Sequence, residues 1–182
     1  AVTVKNAGLT GLEFAYGIPG SVGGGVYMNA GAYNGEASQV VASSMAYDDL
    51  TGEVRMISRE EHNFGYRTSV YSQNRDRLTV LSAEFELKEG DSAAIWETMQ
   101  DLMRRRREKQ PLEYPNAGSV FKRPQGYFVG KLITDAGLKG YTIGGAQVSE
   151  KHAGFIINIG GATAEDVLRL VEHIQKTVQS QF

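Results

Sequence analysis

Nine consecutive residues, Gly17-Ile-Pro-Gly-Ser-Val-Gly-Gly-Gly25, contain five glycines and one proline. A glycine carries no Cβ, so its main chain can come close to a phosphate or a flat ring. Gly20, Gly23, Gly24 and Gly25 could in this way turn amide N–H groups toward a diphosphate. The segment matches neither the P-loop pattern nor the dinucleotide fingerprint, and a plain turn is the competing reading. A second kind of chemistry comes from cations. Arg104–Arg107 form an unbroken run shortly before Lys109 and Pro111. Four arginines at a helix C-terminus complement its macrodipole, so a solvated helix end competes with an anion site. Nucleic acid is not an expected partner, because the run has no interleaved aromatics and the chain's formal net charge is −2. The charge is unevenly placed: residues 1–90 carry 7 Lys+Arg and 11 Asp+Glu, residues 91–182 carry 12 and 10. The second half is therefore the better place for an anionic ligand. Cysteine is absent, which excludes thiolate metal sites and cysteine nucleophiles. His62, His152 and His173 lie far apart without ligand spacing and read as structural or solvated. No metal site is expected.

The elements that must position these groups follow from periodicity. Val40–Tyr47 and Glu53–Ile57 read as strands joined by the Asp49-Leu-Thr-Gly52 turn, a hairpin signal. Residues 78–88 alternate as a third strand with a shift near Ser82. Asp91 or Ser92 is the expected N-cap of a helix carrying Ile95, Met99, Leu102 and Met103 at helical spacing. Beyond Pro115 the pattern becomes mixed. Strands are expected at Ser119–Phe121, Tyr141–Ile143 and Ala153–Ile159, and a helix at Phe128–Ala136 stopped by Gly137. The last helix, Thr163–Phe182, shows Val167, Val171, Ile174, Val178 and Phe182 on one face, with Thr163 and Asp166 forming a capping box. The class expected is α+β, with residues 1–90 as one domain and 91–182 as a second. No window approaches the roughly 20 apolar residues of a membrane helix. No charged-then-apolar leader is present, and a cytoplasmic location is expected. The opening Ala1-Val-Thr-Val without methionine, and a final helix that stops in mid-stripe, suggest a chain cut short at both ends.

Longer words in the sequence carry more information than any single residue. Gly11 to Tyr33 is one unusual string; Phe64-Gly-Tyr-Arg-Thr-Ser69 follows it, then Lys109-Gln-Pro111, then Asn116-Ala-Gly-Ser-Val-Phe-Lys122. In this order and spacing they closely resemble the UDP-N-acetylenolpyruvoylglucosamine reductase family, from about residue 8 to the end. The resemblance implies an FAD-binding domain, of which residues 1–90 are the second half, followed by a small α+β substrate-binding domain. It implies NADPH as reductant of the flavin, and hydride transfer to the enolpyruvyl ether of a UDP-sugar in peptidoglycan precursor synthesis.

The same resemblance assigns roles. Ser119 matches the family's proton donor, where the residue by itself reads as a turn or capping serine after Gly118. Arg67 matches the arginine facing the substrate carboxylate, a task suited to a guanidinium; a surface salt bridge to Glu60 or Glu61 is the alternative. Tyr66 is implied to order the site, and Arg106 and Lys109 to meet the substrate phosphates. Lys122 and Arg123 sit on the substrate side, although at the position of Arg123 the family can carry asparagine. Ile18, Pro19, Gly20, Ser21, Gly23, Gly24 and Asn29 fall in the stretch that lines FAD. Direct passage from residue 78 to 91, without room for an inserted loop, matches the short-loop form of the family. Family members carry a further N-terminal glycine-rich segment and a C-terminal glutamate, so this chain is expected to hold FAD poorly and to turn over slowly or not at all. A non-catalytic fragment that binds only the UDP-sugar is the rival reading. A flavoenzyme of the same broad fold acting on another substrate would lack the Tyr66-Arg67 and Ser119 combination.

Overall fold

Alternating burial along Val41–Asp48 explains why this segment is the centre of a sheet. Ser44, Ala46 and Asp48 are buried while Tyr47 is exposed, the two-residue period of a strand with one covered face; Val41, also buried, lies beyond a register shift between Val41 and Ser43. The computed structural model describes residues 1–182 and divides into two compact units, Ala1–Arg104 and Arg105–Phe182, with the division inside one helix.

The first unit contains α1 (Val2–Asn6), β1 (Leu9–Thr10), α2 (Val22–Tyr27), β2 (Gly31–Ala32), β3 (Gly35–Glu36), β4 (Val41–Asp48), β5 (Glu53–Ser58), α3 (Val70–Gln73), β6 (Leu78–Phe85), β7 (Lys88–Glu89) and the start of α4 (Ser92–Lys109). Strand β4 pairs antiparallel with both β5 and β6. The hairpin closes where Gly52, at φ 72°, returns its N–H to the Asp48 carbonyl at 2.8 Å. The expected shift near Ser82 is present: Met45 pairs with Ser82 and Ala46 with Val80, so Leu81 is the extra residue of a bulge. Asp91 caps α4 by accepting the Ala94 N–H at 2.8 Å. Residues 22–27 of the glycine-rich stretch are helical and so are not the plain turn that its composition also allowed. The Ser21 Oγ accepts the Gly24 N–H at 3.0 Å and so starts the helix. A Cβ at Gly23 would lie 3.6 Å from Val80 Cβ, ordinary contact distance, so the helix lies close on the sheet there.

The second unit contains β8 (Asn116–Ser119), α5 (Val129–Asp135), β9 (Thr142–Ile143), β10 (Ala146–Val148), β11 (Phe155–Asn158) and α6 (Ala164–Gln181). Its sheet has the order β8-β11-β10-β9 and is antiparallel throughout. The strand expected at 119–121 begins earlier, at Asn116, and β10 was not expected at all. Helix α5 ends as expected at Gly137 (φ 73°). Leu138 N–H bonds the Ile133 carbonyl and Gly137 N–H that of Thr134, a Schellman ending, with Leu138 and Ile133 in one apolar cluster. The Thr163–Asp166 capping box of α6 is formed in both directions. Leu170 and Ile174 are its most buried residues, whereas Phe182 is 62% exposed and does not continue the packed face.

Candidate functional site

In the first unit, Asn29, Tyr66 and Arg67 gather around a turn. Gly65 and Thr68 exchange backbone hydrogen bonds in both directions, at 3.1 and 3.2 Å, which closes a tight loop over Tyr66 and Arg67. Arg67 takes a left-handed conformation, φ 53°, uncommon for a non-glycine residue. Its Nη1 donates to the Asn29 carbonyl at 3.1 Å and its Nη2 to the Gly31 carbonyl. It also lies 5.1 Å from the centre of the Tyr66 ring. The side chain is half-buried and held in place, and no salt bridge to Glu60 or Glu61 is made; Glu61 pairs with Arg55. Tyr66 is 54% exposed.

Asn29 is fully buried and also left-handed, φ 43°. Its Nδ2 donates to the Gly65 carbonyl and its Oδ1 accepts the Ser38 N–H, both at 2.9 Å. Beneath the turn sits a polar cluster that the sequence reading passed over. His62 is fully buried, shares a hydrogen bond with Ser44 Oγ at 2.7 Å, and stacks on Phe64 at 4.7 Å. Ser44 Oγ in turn bonds the Tyr71 hydroxyl at 2.6 Å. Burial pushes the His62 imidazole below its ordinary value and the Tyr71 phenol above its own. A histidine beside an aromatic at two-residue spacing was the available signal, and it does not distinguish core from surface.

The glycine segment offers an approachable main chain. Pro19, Gly20, Ser21 and Val22 are exposed, and a Cβ built on Gly20 (φ 139°) meets nothing within 4 Å. The Val22 and Gly23 N–H groups belong to the first turn of α2, where no intrahelical acceptor exists. Ile18 is half-buried. These features fit a flat or diphosphate-bearing group lying along the backbone.

In the second unit, Ser119 is exposed at the end of β8, paired with Phe155. A Cβ added at Gly154 would lie 3.4 Å from Ser119 Oγ and 3.1 Å from His152 Cε1, so a side chain there would crowd both groups. Asn116, not singled out from the sequence, orders this segment. Its Nδ2 donates to the carbonyls of Pro111 and Tyr114 and its Oδ1 accepts the Gly118 N–H. Gly118 adopts φ 86° with open space around it. Burial lowers the His152 imidazole, whose Nδ1 accepts the Gly154 N–H at 3.1 Å. Of the basic residues, Lys109, Lys122 and Arg123 are exposed. Arg123 lies 3.9 Å from the centre of the Phe128 ring. Arg106 is only 6% exposed, and its Nη1 reaches Gln110 Oε1 at 3.5 Å. The reading of all four arginines as a solvated helix end therefore fails at Arg106. No group of three or more His, Cys, Asp or Glu is placed to hold a metal ion, and no helix is long and apolar enough to cross a membrane.

Mixed helix and antiparallel sheet in both units define an α+β protein. Residues 110–182 match the family model described as the C-terminal domain of UDP-N-acetylenolpyruvoylglucosamine reductase. The chain is 59% identical to the UDP-N-acetylenolpyruvoylglucosamine reductase of Pediococcus pentosaceus over 97% of its own length and 58% of that protein. It is 57% identical to the Clostridium novyi reductase over its whole length, again 58% of the relative. The crystal structure of the Thermus caldophilus reductase superposes with a TM-score of 0.85 at 37% identity, covering 96% of this chain and 63% of that one. Over nearly its whole length the chain is similar to members of the UDP-N-acetylenolpyruvoylglucosamine reductase family. It spans a little under three-fifths of the length of the curated relatives it matches.

Proposed function

We propose that this chain is the part of a cytoplasmic, FAD-dependent oxidoreductase that reduces UDP-N-acetylenolpyruvoylglucosamine to UDP-N-acetylmuramate with NADPH, a step in building peptidoglycan precursors. The observation that carries the reading is Arg67, a cation fixed by two main-chain carbonyls in a left-handed turn. Holding a charged group in that conformation makes sense where its direction matters. Arg67 pairs with the substrate carboxylate and stabilises the negative charge that grows on it during reduction. Tyr66 packs beside the guanidinium. Ile18, Pro19, Gly20, Ser21, Gly23 and Gly24 form the main chain along which FAD lies, and the flavin, when bound, supplies the hydride.

Ser119 supplies the proton that completes the lactyl ether. A serine hydroxyl is a weak acid, so this role needs a strongly basic carbon and a donor held in place. The strand end, the Asn116 bonds and the open space at Gly118 support that placement. Arg106, Lys109 and Lys122 meet the UDP phosphates, a sign of charge consistent with the more basic second half. The reading is tested by incubating the chain with FAD, desalting, and recording retained flavin absorbance, followed by turnover with NADPH and the enolpyruvyl substrate. Ser119→Ala is expected to lower turnover by about 10²–10⁴-fold, the usual contribution of a positioned general acid. Turnover unchanged in Ser119→Ala would remove the proton-donor role. A chain that binds neither flavin nor the UDP-sugar would overturn the whole reading.

A further inference from the structure

Four hydrogen bonds, each with a side-chain donor and a main-chain acceptor, tie the end of α2 and the segment after it to the turn that carries Arg67. Ser69 Oγ donates to the Tyr27 carbonyl at 2.7 Å, and Asn29 Nδ2 to the Gly65 carbonyl at 2.9 Å. Arg67 donates to the carbonyls of Asn29 and Gly31. We propose that Asn29 is a positioning residue for Arg67, acting through this clamp rather than as a contact to the flavin; the inference rests on the reading of Arg67 as the carboxylate-binding arginine.

Three observations support it. Asn29 is fully buried, and both ends of its amide are engaged by protein, at Gly65 and at Ser38. Its main chain is left-handed, which asparagine tolerates better than other non-glycine residues, and this turns its own carbonyl to Arg67 Nη1. Asn29 therefore holds the arginine twice: its side chain fixes the main chain two residues before Arg67, and its carbonyl fixes the guanidinium. Neither bond leaves an amide group facing outward for a cofactor. The wider support is consistent, since His62 stacks on Phe64 at the start of the turn and the Val70 N–H bonds the His62 carbonyl at 2.7 Å at its end.

The test is calorimetric binding of two ligands to the full chain, UDP-N-acetylenolpyruvoylglucosamine and UDP-N-acetylglucosamine, which lacks the carboxylate. Both are compared in wild type, Asn29→Gly, Arg67→Ala and the double variant, with FAD affinity measured in parallel. Asn29→Gly permits the left-handed main chain and removes the side-chain amide. Asn29→Asp, which keeps the shape and the acceptor for Ser38, is the second variant should the glycine variant be poorly folded. We expect Asn29→Gly to weaken the enolpyruvyl ligand roughly tenfold, with the carboxylate-free ligand and FAD unaffected. No further loss is expected in the Arg67→Ala background, the non-additivity of residues that act as one. Loss of FAD affinity with ligand binding intact would overturn the proposal, and so would an additive loss in the double variant; both leave the role of Arg67 standing. Equal binding of the enolpyruvyl ligand by wild type and Arg67→Ala would remove the role of Arg67 and the proposal with it.

Discussion

The two units fill their interiors in different ways. The second buries an apolar cluster, with Ile133, Leu138, Val148, Ile156, Leu170 and Ile174 as its larger members, and only two polar side chains, Arg106 and Ser149. The first buries an apolar cluster too, but beside it lie Asn29, Ser44, Asp48, His62 and Ser69. Apolar burial is non-directional and rewards area, so many arrangements of similar volume serve it nearly as well. A buried hydrogen bond rewards one geometry and penalises others, because a polar group left without a partner loses its hydration for nothing. The second unit is built for shape. The first is built to hold one turn at one angle, and that turn carries Arg67.

Breaking each interior in its own terms sharpens the contrast. The largest effect is expected from Leu170→Ala in the second unit, where a fully buried side chain is cut back. The loss should be about 2–5 kcal/mol, read as lost amide protection at Ile156 and Ile157. A loss well under that range would mean that the unit collapses around the gap and is less tightly packed than its burial suggests. Next comes Ser44→Ala in the first unit, which removes few atoms but strips a partner from both His62 and Tyr71. About 1–3 kcal/mol is expected, measured by urea unfolding followed through Trp96 fluorescence. A neutral result would show that the polar cluster is dispensable and the distinction between the interiors empty.

The smallest effect appears only in acid. Arg77 donates three hydrogen bonds to the Asp48 carboxylate and holds its pKa down at about 2, against an ordinary 3.8. A carboxyl group with a depressed folded-state pKa contributes stability that is complete above the unfolded value and disappears as pH falls through the folded one. The contribution of Asp48 should therefore be intact above pH 4 and lost between about 4 and about 2. Asp48→Asn should be flatter than wild type across that window in a denaturation series, and an equal slope would remove Asp48 from the acid response.

Much of the fold was legible because it is local. The 41–58 hairpin, the bulge near Ser82, the Asp91 cap, the Gly137 stop and the Thr163–Asp166 box each follow from a few adjacent residues. What escaped depends on distant partners. Helix α2 contains three glycines and has almost no intrinsic helix propensity; its place against Val80, 57 positions along the chain from Gly23, is invisible to a local window. Strand β10 has three residues between glycines and a serine, too short for alternation to register. Arg106 looked like its three neighbours because charge type says nothing about which side of a helix is covered. Motif words located the Arg67 turn and Ser119. They did not reveal that Asn116 and His62 support them, because support comes from hydrogen bonds and stacking rather than from residue order.

The clamp on Arg67 also limits how this part of the chain can drift over generations. Two of its four acceptor carbonyls belong to Gly31 and Gly65, and a Cβ at either would come within 2.8 Å and 2.9 Å of neighbouring atoms. A third belongs to Asn29, whose own amide is engaged. Tyr27 alone lends a carbonyl without its side chain entering the bonding. Heritable change is thus nearly closed at 29, 31 and 65 because the main chain has no room to spare, whereas at 27 the clamp asks only for a carbonyl and the side chain answers to its packing against the apolar cluster.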